Sequence, residues 1–217
     1  MRSLAFALVL TAFAGASLCS CRSAYYSTLE TFGVHKRDIL VDRVQEARES
    51  QEDVKEDFAD VLEAFRSVQA FDGGDLEKLY SKLKRELDRS EAGVADVKAR
   101  IVQIEKVSGD LFTEWRAEAS NIEDRELRAA SERLEEDTRD AYRDLIAAMK
   151  RAESKMDPVL TRFRDHVLFL KHNLNARAVA SLAGSLATIE TDVGALIADM
   201  EASIAEADAF LAQMTTG

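Results

Sequence analysis

The three histidines of this sequence are the side chains best suited to acid–base or metal chemistry. A di-iron site in a helical bundle needs Glu-x-x-His, because that spacing places two ligands on one helix face. The residue three positions before each of His35, His166 and His172 is instead a phenylalanine. His166 and His172 are also six positions apart, which puts them on different faces of a helix. We therefore expect partly buried or rim histidines, with no metal and no cofactor.

Motifs for nucleotide binding and nucleophilic catalysis are missing from the sequence. The one glycine pair, Gly73-Gly74, is followed by Asp75 and Leu76, whereas a phosphate-binding loop continues with Gly-Lys-Ser/Thr. No serine lies in a Gly-x-Ser-x-Gly turn. The sequence thus predicts a protein that is not an enzyme. An envelope enzyme or metal-binding bundle that uses acidic residues from several helices stays open as the alternative.

The first 20 residues have the pattern of a removable secretory signal peptide. Arg2 is their only charge, and an apolar run then leads to small residues. The ending Leu18-Cys19-Ser20-Cys21 resembles the lipobox of bacterial lipoproteins, in which a leucine and two small residues precede the modified cysteine. We therefore predict that Cys21 is the lipidated first residue of the mature chain. A retained membrane helix and plain secretion are the alternatives.

Cleavage before Cys21 would place the protein in the cell envelope. Cys19 fits the motif poorly, because Leu18 would then stand next to the cut. Arg22, rather than an aspartate, follows the lipidated position, and this favours the periplasmic face of the outer membrane. Residues 21–34 would form a membrane-proximal tether. Tyr25 and Tyr26 in that tether suit the membrane–water interface.

Charge and cysteine content exclude several kinds of partner. The leader contains one of the 29 basic residues and none of the 40 acidic residues, so the mature chain would carry a net charge of −12. Such a chain repels phosphates, which argues against nucleic acid binding and against a basic lipid-binding surface. A single cysteine in the mature chain leaves no disulfide framework. The acyl chains on Cys21 would then be the attachment to the membrane.

Apolar residues recur in alternating steps of four and three along residues 35–217, which is typical of a coiled-coil seam. We predict an all-α fold, an elongated antiparallel coiled coil or helical bundle of three to four long helices, with helices near 35–71, 75–119, 123–171 and 175–213. Gly73-Gly74 would end the first helix, and Asp75 would cap the second. Polar seam members would fix the register; they are Gln51, Ser90 and Ser108. The third seam begins at Leu127, Ser131 and Leu134.

Two positions in the predicted third and fourth helices admit alternatives. Near Pro158 the phase of the apolar residues shifts, so we expect either a kink or a new helix capped by Asp157. At residues 172–175 the helix formers are poor but the apolar phase continues. A turn there would give four helices of similar length, whereas without it two long helices would be followed by a third and a very long fourth.

Two short segments are candidates for interaction. His35, Lys36 and Arg37 form the densest basic spot close to the anchor and could contact lipid headgroups or a partner; a solvated first turn is the simpler interpretation. Leu168, Phe169 and Leu170 precede His172, Asn173 and Asn175. Three consecutive apolar residues cover more than one helix face, so this helix is either buried deeply or binds another protein. We expect burial, with the asparagines in a buried polar network or in a turn.

Several stretches resemble a bacterial family catalogued as domain of unknown function 2959. They are FGVHKRDILVDRV (32–44), FDGGDL (71–76), MDPVLTRFRDHVLFLKHNLNARA (156–178) and DMEASIAEADAF (199–210). The resemblance covers nearly all of the mature chain and implies a helical envelope protein without an established activity. No functional residue is carried over from it.

We expect a non-enzymatic, lipid-anchored rod that acts as an interaction or structural adaptor. Its partners would be the membrane, through the acyl chains, and an unidentified envelope protein. A homo-oligomer formed through exposed seams is an open alternative.

Overall fold

The computed structural model of the protein describes residues 35–216, and these form an all-α bundle. Helix α1 spans Lys36–Gln69, α2 spans Leu76–Ser120 and α3 spans Arg125–His172. A short helix α4, Ala176–Leu182, and a 3-10 turn, Ala183–Ser185, then lead into α5, Leu186–Thr216. The predicted fold class is thereby confirmed. The signal peptide, Cys21 and the tether of residues 21–34 lie outside the described residues.

The four long helices pack as a closed square, with α1 beside α2, α2 beside α3, α3 beside α5, and α5 beside α1. Ion pairs fix the antiparallel register between α2 and α3 at seven-residue intervals. Glu91 binds Arg164 at 2.6 Å and Lys98 binds Asp157 at 2.6 Å, while Glu105 binds Lys150. This is the ladder that charged residues beside a coiled-coil seam produce.

Polar side chains in the core join α1 to its two neighbours. Ser203 of α5 donates its hydroxyl hydrogen to Oε1 of Gln51 at 2.8 Å, and both side chains are fully buried. Ser90 of α2 donates to the backbone carbonyl of Asp57 at 3.1 Å. Ser108 donates to the backbone carbonyl of Glu105 in its own helix at 3.0 Å, and its side chain also interacts with Tyr142 of α3. A register role therefore has a structural basis for Gln51, Ser90 and Ser108.

The turns between the helices follow their sequence signals. Gly73 and Gly74 have φ angles of 144° and 99°, a region that side chains disfavour. Asp75 then caps α2 by accepting the backbone N–H of Lys78 at 3.0 Å. Asp124 caps α3 in the same way, through the N–H groups of Glu126 and Leu127.

Helix α3 runs through Pro158 without the new helix that Asp157 could have capped. Proline costs roughly 3 kcal/mol inside a helix, because it lacks an N–H and its ring crowds the preceding turn. Pro158 faces solvent, where water can hydrate the carbonyl that lost its partner. Met156 and Phe163, on either side of it, are fully buried. Core packing therefore keeps the helix continuous, and Asp157 binds Lys98 rather than capping a helix.

The predicted fourth helix is divided in the structure. Helix α3 ends at His172, which settles the open question at residues 172–175 in favour of a turn. The chain then makes α4 and a 3-10 turn before α5 begins at Leu186. The interruption falls on Ala183-Gly184-Ser185, where glycine and serine are weak helix formers.

Candidate functional site

The two ends of the bundle carry the residues that the sequence marked as candidates. The His35 end contains the start of α1, the α2–α3 turn at residues 120–125 and the end of α5. The Asn173 end contains the α1–α2 turn at residues 70–75, the end of α3, α4 and the 3-10 turn. Cys21, the predicted lipidation residue, and the two tyrosines of the tether lie outside the described residues, so their roles stay predictions.

At the His35 end, the basic residues are engaged with neighbouring helices. The Lys36 side chain is only 9% exposed, and its Nζ lies 2.6 Å from Oε1 of Glu114 on α2. The Arg37 guanidinium donates to the backbone carbonyl of Met214 near the end of α5. The backbone N–H of His35, which is exposed, donates to the Asp38 carboxylate at 3.3 Å. Lys36 and Arg37 thus tie the start of α1 to α2 and α5, so the solvated first turn is wrong for Lys36.

These basic residues border a groove of about 420 Å³ on the surface of α2. Leu111 and the half-buried Trp115 form its apolar part, while Glu114 and Glu118 supply negative charge. The indole N–H of Trp115 donates to the hydroxyl of Ser131 on α3 at 2.9 Å. The groove therefore combines an aromatic surface with acidic groups, immediately beside the first described residue.

The seam of α2 and α3 is not fully covered at this end. Leu127 and Leu134 follow the four-three spacing that predicts burial, yet 63% and 57% of their surfaces are exposed. No residue of 125–137 is buried, and burial on α3 starts at Thr138. The physical reason is that α1 begins and α5 ends near the level of Glu114, so neither continues alongside the last turns of α2 and the first turns of α3.

At the Asn173 end, the predicted interaction residues His172, Asn173 and Asn175 are all exposed. The Asn173 amide donates to the backbone carbonyl of Phe169 at 3.0 Å, which satisfies a free carbonyl at the end of α3. The Asn175 side chain accepts the N–H of Ala178 at 3.0 Å and caps α4. A buried polar network is therefore wrong for the two asparagines, and the turn is right. Their part in binding a partner stays a prediction.

The apolar residues before this turn are divided between core and surface. Leu170 is fully buried, but Leu168 and Phe169 are 57% and 40% exposed, and Leu174 in the turn is 38% exposed. The expected burial of the whole segment is wrong, because α3 lies at a corner of the square and buries only one face. We call Leu168, Phe169 and Leu174 the distal patch.

A smaller cavity of about 240 Å³ lies between α3 and the 3-10 turn. His166, which is half-buried, lines it, and the imidazole ring lies 5.1 Å from the ring of Phe65, centroid to centroid. Burial lowers the pKa of His166 below its ordinary value of 6.5, so the neutral ring is favoured. Arg162, also at this cavity, is held by Asp192 at 2.8 Å. No sequence pattern indicated this cavity, because one of its walls is the 3-10 turn, which the apolar spacing does not predict.

Residues 35–216 contain neither a metal-ligand cluster nor a membrane-spanning helix. Within that range, no group of three or more His, Cys, Asp or Glu side chains is placed to hold a metal ion. None of the helices in the same range has the length and apolar character needed to cross a membrane.

Comparison with known proteins gives one match. A family model with the description "Protein of unknown function (DUF2959)" matches residues 25–214. No curated protein and no solved structure matches the chain.

Proposed function

The chain belongs to this family of unknown function, DUF2959, as its motifs indicated, and from that premise we propose that it is a lipid-anchored protein of the bacterial cell envelope that acts as an interaction or structural adaptor. The acyl chains on Cys21 would hold one end at the membrane, on the periplasmic face of the outer membrane. The bundle would then present its other end to an envelope protein. Neither attachment to the membrane nor binding of a partner requires this protein to catalyse a reaction.

The distal patch is the observation that carries the adaptor role. Three large apolar side chains are exposed within seven residues of one another at the Asn173 end. Exposed apolar clusters on a soluble surface are typical of protein interaction sites, because water contact with them is unfavourable. The exposed His172, Asn173 and Asn175 would supply the polar rim of such a site.

The proposed anchor and the distal patch would lie at opposite ends of the bundle. Helix α1 has 34 residues and runs from the His35 end to the Asn173 end. At 1.5 Å per residue it is about 50 Å long. A partner bound at the distal patch would therefore be held about 50 Å from the end at which the tether enters the bundle.

The anchor is tested by substituting the two cysteines separately. Cys21→Ala should abolish incorporation of a radiolabelled fatty acid and should prevent formation of the acylated N-terminal fragment seen by mass spectrometry. Cys19→Ala is the matched control and should leave both intact, because that residue would be removed with the leader. A Cys21→Ala protein that still carries the acyl group refutes the anchor.

The adaptor role is tested separately, by photo-cross-linking in living cells. A benzophenone amino acid in place of Phe169 should give one discrete adduct with an envelope protein. The same amino acid in place of Val102, which is 63% exposed on the side of α2, is the control and should not give that adduct. If Phe169 yields no adduct, or if Val102 yields the same one, the distal patch is not the partner site.

The alternative function, an envelope enzyme or a metal-binding bundle, makes a different prediction. It requires acidic residues of several helices to bind a metal in stoichiometric amount. Elemental analysis of the purified full-length protein measures that directly, and a stoichiometric metal would favour the alternative over the adaptor.

A further inference from the structure

The His35 end has an overhang, which we define as residues 115–137, where α2 and α3 extend past the other two helices. Residues 125–137 of α3 span roughly 20 Å at 1.5 Å per residue. Each of the four long helices packs against two neighbours in the square. Among the residues that the structure describes, neither a turn of α1 nor a turn of α5 lies beside the overhang.

The uncovered face of the overhang is apolar. Leu127 and Leu134 lie at seam positions and are more than half exposed, and Trp115 is half-buried in the groove beside His35. Further along the bundle, the same seam positions are filled by core contacts, as at Leu145, which is fully buried. The face thus has the residue pattern of a bundle interior without the helices that would cover it.

The charge of the overhang limits what can cover it. Residues 115–137 contain eight acidic and four basic side chains. A second copy of the same surface would bring like charges together, and an anionic membrane would be repelled. Residues 22–34 of this chain carry one basic residue, Arg22, and one acidic residue, Glu30, and therefore meet no such repulsion.

Residues 22–34 also start at the right place. They join the bundle at His35, which lines the groove next to Trp115. Their larger apolar residues Tyr25, Leu29 and Phe32 follow steps of four and three. Continued by the same steps, the pattern reaches Lys36 and Ile39, which are both only 9% exposed and lie on the inner side of α1. The apolar spacing of the segment therefore continues directly into the buried positions at the start of α1.

The length of the segment matches the surface to be covered. Ten residues, 25–34, span about 15 Å at the helical rise and more if extended. Helix α2 extends past Glu114 by only six residues, to Ser120, which is about 9 Å. The segment can therefore reach the whole uncovered part of α2 and the adjoining turns of α3.

We propose that residues 25–34 dock on the overhang of their own chain, with Tyr25, Leu29 and Phe32 against Trp115, Leu127 and Leu134. The tether would then pack on the bundle rather than extend freely from it. This docking does not depend on acylation of Cys21, so it can hold or fail independently of the proposed anchor.

Photo-cross-linking in the full-length chain tests the docking directly. A benzophenone amino acid replaces Leu134, and the protein is irradiated in detergent extract. We expect a cross-link that leaves the mass of a monomer and that maps to the tryptic peptide of residues 23–36. The control position is Leu168, which has the same exposed fraction of 57% on the same helix but lies at the opposite end. It should give no such peptide.

Every other product at position 134 overturns the docking. A cross-linked dimer would mean that a second copy covers the overhang. An adduct with lipid or another protein would identify a different occupant. No cross-link at all would mean that the face is open to water.

Fluorescence of Trp115, the single tryptophan of the chain, supplies a second measurement. Leu29→Asp should shift its emission to longer wavelength and increase its quenching by acrylamide, because the covering segment is displaced. Ser27→Asp is the matched control, since it adds the same charge at a position outside the spacing of Tyr25, Leu29 and Phe32 and should leave the emission unchanged. Equal spectra for the two variants would contradict the docking.

Discussion

Gly93 of α2 lies at a close approach of α1 and α2, and its replacement by alanine tests the packing there. A Cβ atom at Gly93 would lie 2.5 Å from Cγ2 of Val54. Carbon atoms in contact prefer roughly 3.5–4.0 Å, so at least about 1 Å of movement is needed. Val54 is 1% exposed and β-branched, which leaves its side chain one strongly preferred rotamer in a helix.

Two opposing contributions decide the free energy of unfolding of the Gly93→Ala variant. Alanine is favoured over glycine inside a helix by about 1 kcal/mol. Overpacking a filled core costs roughly 1–3 kcal/mol. The Gly109→Ala variant provides the matched control, because that residue is in the same helix and its Cβ would meet nothing within 4 Å. The helix contribution is common to both variants, so the difference between them isolates the overpacking cost.

Chemical unfolding followed by circular dichroism measures both variants. Gly109→Ala should be more stable than the parent by up to about 1 kcal/mol. Gly93→Ala should be less stable than Gly109→Ala by roughly 1–3 kcal/mol. Gly93→Ala should be less destabilising in a Val54→Ala background than in the parent, since Val54→Ala removes the methyl group that the new Cβ would meet. If the two glycine variants gain stability equally, then the close approach of α1 and α2 is refuted.

Three further substitutions should each change the free energy of unfolding in a direction that follows from the structure. Because burial lowers the pKa of His166, the unfolded chain binds its proton more tightly than the folded chain does, and the free energy of unfolding should fall as the pH drops below about 6.5. The His166→Phe variant should not show this loss when its free energies of unfolding at about pH 7.5 and about pH 5 are compared. Ser203→Ala should cost about 1–3 kcal/mol by leaving a buried amide oxygen of Gln51 unpaired, while Gln51→Leu with Ser203→Ala should recover most of it in thermal melts. Pro158→Ala should raise stability by up to about 3 kcal/mol, because the helix already runs through this exposed site; an unchanged melting temperature would contradict that account.

The seams predicted from apolar spacing show what a sequence can determine about this fold. Leu145, Met156 and Phe163 occur at the predicted spacing and are fully buried. Leu127 and Leu134 occur at the same spacing and are exposed. Spacing reports which face of a helix is apolar, but burial also needs a neighbour at that level. The levels at which α1 starts and α5 ends are properties of the assembled bundle, so they could not be read from the third seam alone.

The Asn173 end shows a second limit. Asn173 and Asn175 were recognised as poor helix formers, and each makes a helix-terminal hydrogen bond. Leu168 and Phe169 were expected to be buried because apolar runs usually are. Which sides of α3 face neighbours depends on the order of helices around the square, and local sequence contains no information about that order. The 3-10 turn that walls the His166 cavity was missed for the same reason.

The closing of the square by α5 against α1 has a consequence for how the chain folds. Arg48 meets Asp208 and Gln51 meets Ser203, so these contacts join residues 160 and 152 positions apart. Hairpin contacts between α1 and α2 can form early in folding, since their loop is short. The contacts between α5 and α1 close much longer loops and therefore form later, and until then one side of the α1 core stays uncovered. The docking of α5 on α1 and α3 is therefore the last and slowest step in assembling the bundle.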